Sequence, residues 1–452
     1  KIAPTSLSDR DMSASGLTVL PVDEDQSLYN RTFWLAYAAN LMLVAANAIT
    51  FRFAEFVNFL GGAESDTGSI VRAGVVGSLF IRLTLARDLD RLGVRRMWLG
   101  SSILFILGCG LLLTADSIGW QVYLARAAFM SGLASMFTCS NVHIQNQAPI
   151  HRRTELIGSL GSSGFVGMML GAQLGDLIFA SVPRGEFLFQ LLFGLAGLLA
   201  LGYLLIVSVI TRKDVHIHQP DTPPPWSLLR KYWPGPVVIV AFVMGLSFVV
   251  TTVFLTRHAT SLGLVGVRTY FSGYSLAAFV FRIATRTWSR TLGRHRMILL
   301  GLLGHTIGFL LLWRVHVEWD YVLPSLCGGF AHALLFPCVV SLGAERYPER
   351  YRGSGTTLIL GFIDVGGALG AQPLGWVIDH YGFGPMYLGA ASVCFSALLV
   401  YGLLMFHAPD ADQEHARREF GHTKVLRDSD EPTIAPRENS DEVATAAGAL
   451  QR

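Results

Sequence analysis

The chain has 452 residues, of which 52% carry hydrophobic side chains and only 15% are charged; its mean hydropathy of +0.46 is too high for a water-soluble protein of this length. A formal charge of +3 gives no footing for nucleic-acid binding. The five cysteines, Cys109, Cys139, Cys327, Cys338 and Cys394, lie in apolar runs without ligand-like spacing and supply neither a disulfide framework nor a metal site.

Residues 1–30 are polar and lack the apolar region of roughly 7–15 residues that a cleavable signal needs. They read as a cytoplasmic tail. A helix needs about 20 mostly apolar residues to cross roughly 30 Å of hydrocarbon. Twelve such runs follow, near 33–58, 67–86, 97–115, 118–146, 156–180 and 187–210, then 236–260, 267–285, 297–315, 321–344, 354–379 and 384–406. Between the sixth and seventh, residues 212–234 are charged and proline-rich, which predicts a cytoplasmic linker. Residues 408–452 turn polar and bury too little to offset ordering entropy, which predicts a disordered cytoplasmic tail. The expected architecture is an all-α membrane protein of two six-helix bundles, 31–211 and 235–407.

Lysine and arginine crowd one set of loops: Arg87, Arg91, Arg95 and Arg96; Arg152 and Arg153; Arg212, Lys213, Arg230 and Lys231; Arg286, Arg290, Arg294 and Arg296; Arg346, Arg350 and Arg352. The alternate loops carry only Arg184, Arg268 and Arg314. The positive-inside rule then places both termini in the cytoplasm of an inner membrane and favours an even number of spans.

The halves echo one another. "LARDLDRLGVRRM" (Leu85–Met97) returns as "ATRTWSRTLGRHRM" (Ala284–Met297), matching Arg82 with Arg282, Gly93 with Gly293, Arg96 with Arg296 and Met97 with Met297. "LGAQ" at Leu170–Gln173 returns at Leu369–Gln372, about 199 residues on, close to the same period. Two parallel six-span repeats are an arrangement found in secondary transporters.

On these residues the chain resembles the major facilitator superfamily, over about residues 31 to 407, and within it the drug/proton antiporters. The family's loop signature G-x-x-x-D-R-x-G-x-R-R stands here as Ala86, Asp90, Arg91, Gly93, Arg95 and Arg96, with only the leading glycine changed. The second copy keeps Gly293, His295 and Arg296 but has Arg290 in place of the acid. Gly93 allows a tight turn, and the basic cluster also suits a plain topogenic signal. The resemblance implies a latch that holds the two bundles together in the outward-open state. In the fifth span, Gly158, Gly167, Gly171 and Gly175 match the family's antiporter signature, while Ala172 replaces its proline and Asp176 its last glycine. Glycines four apart also serve close helix packing. A third signature, an arginine followed four residues later by glycine, is approximate here: Arg126 is followed by Gly132.

Ionisable groups at membrane depth cost about 2.5–3.5 kcal/mol each on insertion scales, so they mark candidate sites. Arg52 and Glu55 lie three apart in the first span and Arg257 in the seventh; aligning the shared Leu-Gly sets Glu55 opposite Arg257, which predicts a gate pair on the outer side. Arg126 lies about a third of the way along the fourth span, placed to bind an anion or hold a carboxylate. Asp364 sits near mid-membrane in the eleventh span, where a carboxyl that alternates between buried and wetted states suits proton coupling. His332, in the tenth, changes charge near neutrality or serves as a core histidine; His305 and His143 are weaker candidates. Arg82 and Arg282 near the inner ends are expected to support the loop latches. With arginines outnumbering acids, the cavity is expected to favour an organic anion or zwitterion.

These features predict a monomeric secondary transporter that exposes a central site to one side at a time, exporting a small organic solute against protons and needing no cofactor or metal. Uptake of an organic anion or sugar is the alternative direction. No GxxxxGK[ST] is present to bind ATP, and no polar catalytic cluster suggests an enzyme. A transport-inactive sensor on the same scaffold is the remaining alternative.

Overall fold

The computed structural model describes residues 29–147, 153–212, 214, 223–285, 288–348 and 351–405, without the side chains of 86–91, 145–147, 153–158, 289–290 and 352. The expected tails, apart from Tyr29 and Asn30, lie outside the described residues, as does most of the first half of the linker.

Among the described residues every regular element is helical. Eleven helices are long and apolar enough to cross a membrane: α1 (Arg31–Phe59), α2 (Glu64–Leu85), α3 (Leu92–Leu113), α4 (Trp120–Ile144), α5 (Ser159–Ser181), α6 (Glu186–Ile210), α7 (Val237–Ser261), α9 (Arg294–Leu312), α10 (Glu318–Glu345), α11 (Gly353–Tyr381) and α12 (Phe383–Met405). The remaining span is α8, Arg268–Ala284, whose 17 residues reach about 26 Å at 1.5 Å per residue. It stops at Thr285, whose hydroxyl bonds back to the Phe281 carbonyl at 2.7 Å. A short helix, Pro225–Lys231, leads from the linker into α7. Twelve passes bring the start of α1 and the end of α12 to one side, called here the near face; the α1–α2, α5–α6, α7–α8 and α11–α12 junctions lie at the far face.

The duplication is visible in the backbone. Gly93 breaks the helical run that joins α2 to α3 at φ 80, ψ 157, and its counterpart Gly293 opens α9 at φ 90, ψ 148. Both angles lie where a Cβ is strained. α1 tightens into a 3₁₀ turn at Thr50–Arg52, and α7 widens into a π turn at the equivalent level, Val250–Phe254. Neither irregular turn contains a proline. Instead hydroxyls bond back to carbonyls: Thr50 to Asn47 at 2.7 Å and Thr252 to Phe248 at 2.6 Å, a known cause of helix bending.

Within the first half, α1 packs along α5 and α6; within the second, α7 packs along α11. The glycine ladder explains the close fit. A Cβ at Gly167 or Gly171 would collide with the Leu41 or Ala45 carbonyl of α1. At Gly175 it would lie 3.4 Å from the Ile49 oxygen, an ordinary contact. The second half repeats the device, with Gly366 against the Phe242 backbone and Gly370 against Leu246. Gly158 falls where no side-chain surroundings are described. The halves meet along two seams, α2 against α11 and α5 against α8. Each half has apolar packing of its own; in the first, Trp98, Phe105, Phe129 and Tyr203 are fully buried, and the Trp98 indole N–H donates to the Tyr203 hydroxyl at 2.5 Å.

Candidate functional site

At the far face the seams are held by four carboxylates. The 3₁₀ turn in α1 carries Arg52 inward, where its guanidinium donates to Glu55 at 2.9 Å and to Asp176 of α5 at 2.5 Å. All three side chains are buried, at 3–4% exposure, so a cluster of one cation and two anions sits out of water. Its surplus negative charge is met from the other half. The second oxygen of Asp176 accepts the backbone N–H groups of Val267 and Arg268 at 2.7 and 2.6 Å, where α8 begins. Amides at a helix start are unpaired donors at the positive end of its dipole, so a carboxylate supplied from another helix caps them. The other seam repeats this arrangement: Asp379 of α11 accepts from the amides of Glu64 and Ser65 at 2.9 and 2.8 Å, capping α2.

Arg257 corrects the expected gate. Its Nε donates to Glu64 at 2.6 Å, while Glu55 is engaged by Arg52 and by the hydroxyl of Thr256 at 2.8 Å. The cross-half ion pair exists, but its acid comes from the first turn of α2. A sequence alignment of α1 on α7 had no way to include that turn.

Deeper in the α2–α11 seam, Asp364 accepts from Arg82 Nε at 2.6 Å and from the Ser78 hydroxyl at 3.0 Å. Arg82 therefore does not brace the near-face loop as expected; it reaches across to the other half. The pair is partly wetted, with side chains 11% and 19% exposed. The α5–α8 seam differs at this level. The repeat period sets Phe165 where Asp364 stands in the other half, and Arg282, the counterpart of Arg82, lies over the rings of Phe165 and Phe336 at 5.5 and 5.8 Å. Around the same point the His332 ring stacks on Phe336 and meets Phe165, Phe248 and Tyr274 edge-on, with centroids 5.4–5.8 Å away. His332 and Tyr274 also line a cavity of about 10 Å³ with Ser247, Thr251, Tyr270 and His305, room for about one water.

Arg126 is not brought to an anion or a carboxylate. It is 6% exposed, its Nε and Nη1 meet no hydrogen-bond partner, and its guanidinium rests 4.4 Å from the Phe53 ring and 5.2 Å from that of Phe129. Such contacts contribute about 0.5–2 kcal/mol each. Gly74 of α2 leaves room for its stem. Of the three arginines expected to make the cavity positive, Arg52 and Arg257 are matched by carboxylates and Arg126 is not.

Two of the loop-signature residues bond within their own halves: Arg95 donates to the Ser208 carbonyl and the Thr211 hydroxyl, both at 3.5 Å, and the His295 ring meets the Tyr401 hydroxyl at 2.8 Å; beside it Arg294 pairs with Glu345. Arg96 and Arg296 are exposed. The side chains of Asp90, Arg91 and Arg290 lie outside the described residues. Near the linker, the buried His143 pairs with Asp214 at 2.9 Å.

The Major Facilitator Superfamily matches residues 33–371 and again 271–436. The chain belongs to that superfamily. Among curated proteins it is similar to multidrug resistance protein MdtG of Salmonella arizonae, at 29% identity over 46% of this chain and 51% of that protein. The chain thus spans about half the length of the curated relatives it matches. Among solved structures, this facilitator is similar to the xylose transporter XylE from E. coli in a partially occluded inward-open conformation, with TM-score 0.65, 15% identity and coverage of 84% of this chain and 97% of that one. It is likewise similar to the nucleoside transporter NupG, with TM-score 0.66, 12% identity and coverage of 84% and 100%. These two share its fold of two six-helix halves.

Sequence reasoning passed over Glu64, Asp379 and Ser78, and it named Asp176 only as a departure from the glycine signature. That departure was the available signal: an acid where close packing calls for glycine needs a reason, and the start of α8 is the reason.

Proposed function

We propose that this facilitator exports a small, lipophilic organic solute in exchange for protons, by rocking its halves about the two seams. The observation that carries the reading is the Arg82–Asp364 pair, the one ion pair described in the middle of a seam. A proton on Asp364 removes the charge that holds Arg82, and an ion pair that loses one charge while partly buried turns from a tie into a cost. Proton binding and seam opening are thereby the same event. Glu55 is the second candidate carrier: with Asp176 it shares one guanidinium, so a single proton brings that cluster to neutrality. The similarity to proteins named for multidrug resistance supports export.

The near face, bearing the basic loops, is assigned to the cytoplasm of an inner membrane, with both termini there and the protein working as a monomer. The bundles are assigned to 31–211 and 235–407, and the loops around Gly93 and Gly293 latch them when the far face opens. Uptake is the second reading, favoured by Ala172 standing where the antiporter signature has proline. The test is flux in proteoliposomes carrying a pH-sensitive dye, screened over organic anions, sugars and lipophilic drugs. Export predicts proton movement opposite to solute; co-directional movement favours uptake, and no solute-dependent flux across the panel from folded protein favours a sensor.

A further inference from the structure

The two seams place homologous arginines at the same depth and give only one of them a counter-charge. Arg82 has Asp364 at 2.6 Å. Arg282 has Phe165 in the equivalent place and makes no ion pair or hydrogen bond among the described residues. It is half-buried, lying on Phe165 and Phe336. Arg282 lies in the last turn of α8, and a half-buried cation there without a counter-charge is costly unless it faces water, a partner or a ligand path. Aromatic faces offset part of that cost. What the surroundings lack is an anion.

They are otherwise built for a flat ring. His332 is enclosed by Phe165, Phe248, Tyr274 and Phe336, and beside it lies the small cavity lined also by Ser247, Thr251 and Tyr270. Only Phe165 in this box comes from the first half. When the α5–α8 seam parts, Phe165 leaves with α5, and a vacancy of one ring's size opens on His332 beside Arg282. In the closed seam Phe165 fills the place that a ligand ring would take.

We infer that Arg282, with the ring surfaces of His332 and Phe336, forms a binding site for aromatic organic anions, in which the anionic group pairs with the guanidinium and the ring replaces Phe165. The inference rests on the transporter reading and deepens it by naming a substrate class. It reassigns Arg282 from bracing a loop to recognising solute.

Equilibrium binding to purified protein tests it without requiring transport. The probes are 2-naphthalenesulfonate and (2-naphthyl)trimethylammonium, which share a ring system and differ in charge, titrated calorimetrically. Wild type is expected to bind the sulfonate more tightly than the ammonium. Arg282→Gln should weaken the sulfonate at least about tenfold, as expected for loss of a charge-assisted contact, while Arg282→Lys keeps most of the affinity. Phe165→Asp supplies Arg282 with the counter-charge that Arg82 already has, and should lose the sulfonate while retaining a folded, monodisperse protein. Sulfonate affinity unchanged in Arg282→Gln, equal binding of the two probes by wild type, or no sulfonate binding by folded wild type would each overturn the site. Sulfonate binding that depends on Arg282, in protein that moves no protons, would instead sink the antiport reading and leave the site standing.

Discussion

The α2–α11 and α5–α8 seams descend from one duplicated unit, yet they hold the halves by different physics. Both are capped at the far face by an aspartate from one half on the first amides of a helix in the other: Asp379 on α2 and Asp176 on α8. Below the caps they diverge. The first seam closes on an ion pair, Arg82–Asp364, and the second on stacked rings around His332 with Arg282 laid across them. On the proposed reading the ion pair answers to protons and the ring cluster to solute, and dividing the two responses between symmetry-related seams would let one rocking motion couple them.

The largest effect separating the seams is expected at Asp364. Asp364→Asn leaves Arg82 without its anion, a loss of about 1–3 kcal/mol for a partly wetted pair broken on one side. Proton-linked flux in proteoliposomes should fall at least about tenfold, and adding Arg82→Gln should recover thermal stability without recovering flux. Mutations of the second seam should alter solute preference and leave proton binding in place.

Next in size is the packing that keeps each half rigid while the seams move. Gly171→Ala drives a methyl into the Ala45 carbonyl and should cost about 1–3 kcal/mol, read as a lowered unfolding midpoint. Gly175→Ala, with 3.4 Å of clearance, should lie close to wild type. Equal losses at both positions would show that the ladder is not a steric device.

A smaller effect distinguishes the expected gate from the observed one. A double-mutant cycle on Arg257 and Glu64 should give a coupling of about 1 kcal/mol, while the cycle on Arg257 and Glu55 should give close to zero. Smallest is Asp379→Asn, which weakens a cap worth about 1 kcal/mol. It should raise labelling of a cysteine at Ala371 by an impermeant maleimide from the far face, and Asp176→Asn should do the same for one at Ser272.

The twelve spans and their pairing into repeats were legible because apolar length and the Gly93/Gly293 echo are properties of local sequence. So was the closeness of Arg52 and Glu55, three residues apart on one helix. The cross-helix partners were not. Arg82 and Asp364 are 282 residues apart, and nothing in either segment fixes the rotation of α2 against α11. Glu64 was overlooked because it falls at the first turn of α2, where an acid reads as an ordinary helix-start residue. Arg126 shows the opposite limit: an arginine within a span signals a site by its rarity, but Phe53 and Phe129 met it before any anion did.

The most direct measurement is a pair of spin-label distances, Asn58 to His380 across the far face and Leu92 to Thr291 across the near face, recorded by double electron–electron resonance at neutral and acid pH. The account predicts that acid lengthens the first and shortens the second in wild type, and that Asp364→Asn holds the acid pattern at neutral pH. Distances that change together, or an Asp364→Asn protein that keeps the neutral pattern, would contradict it.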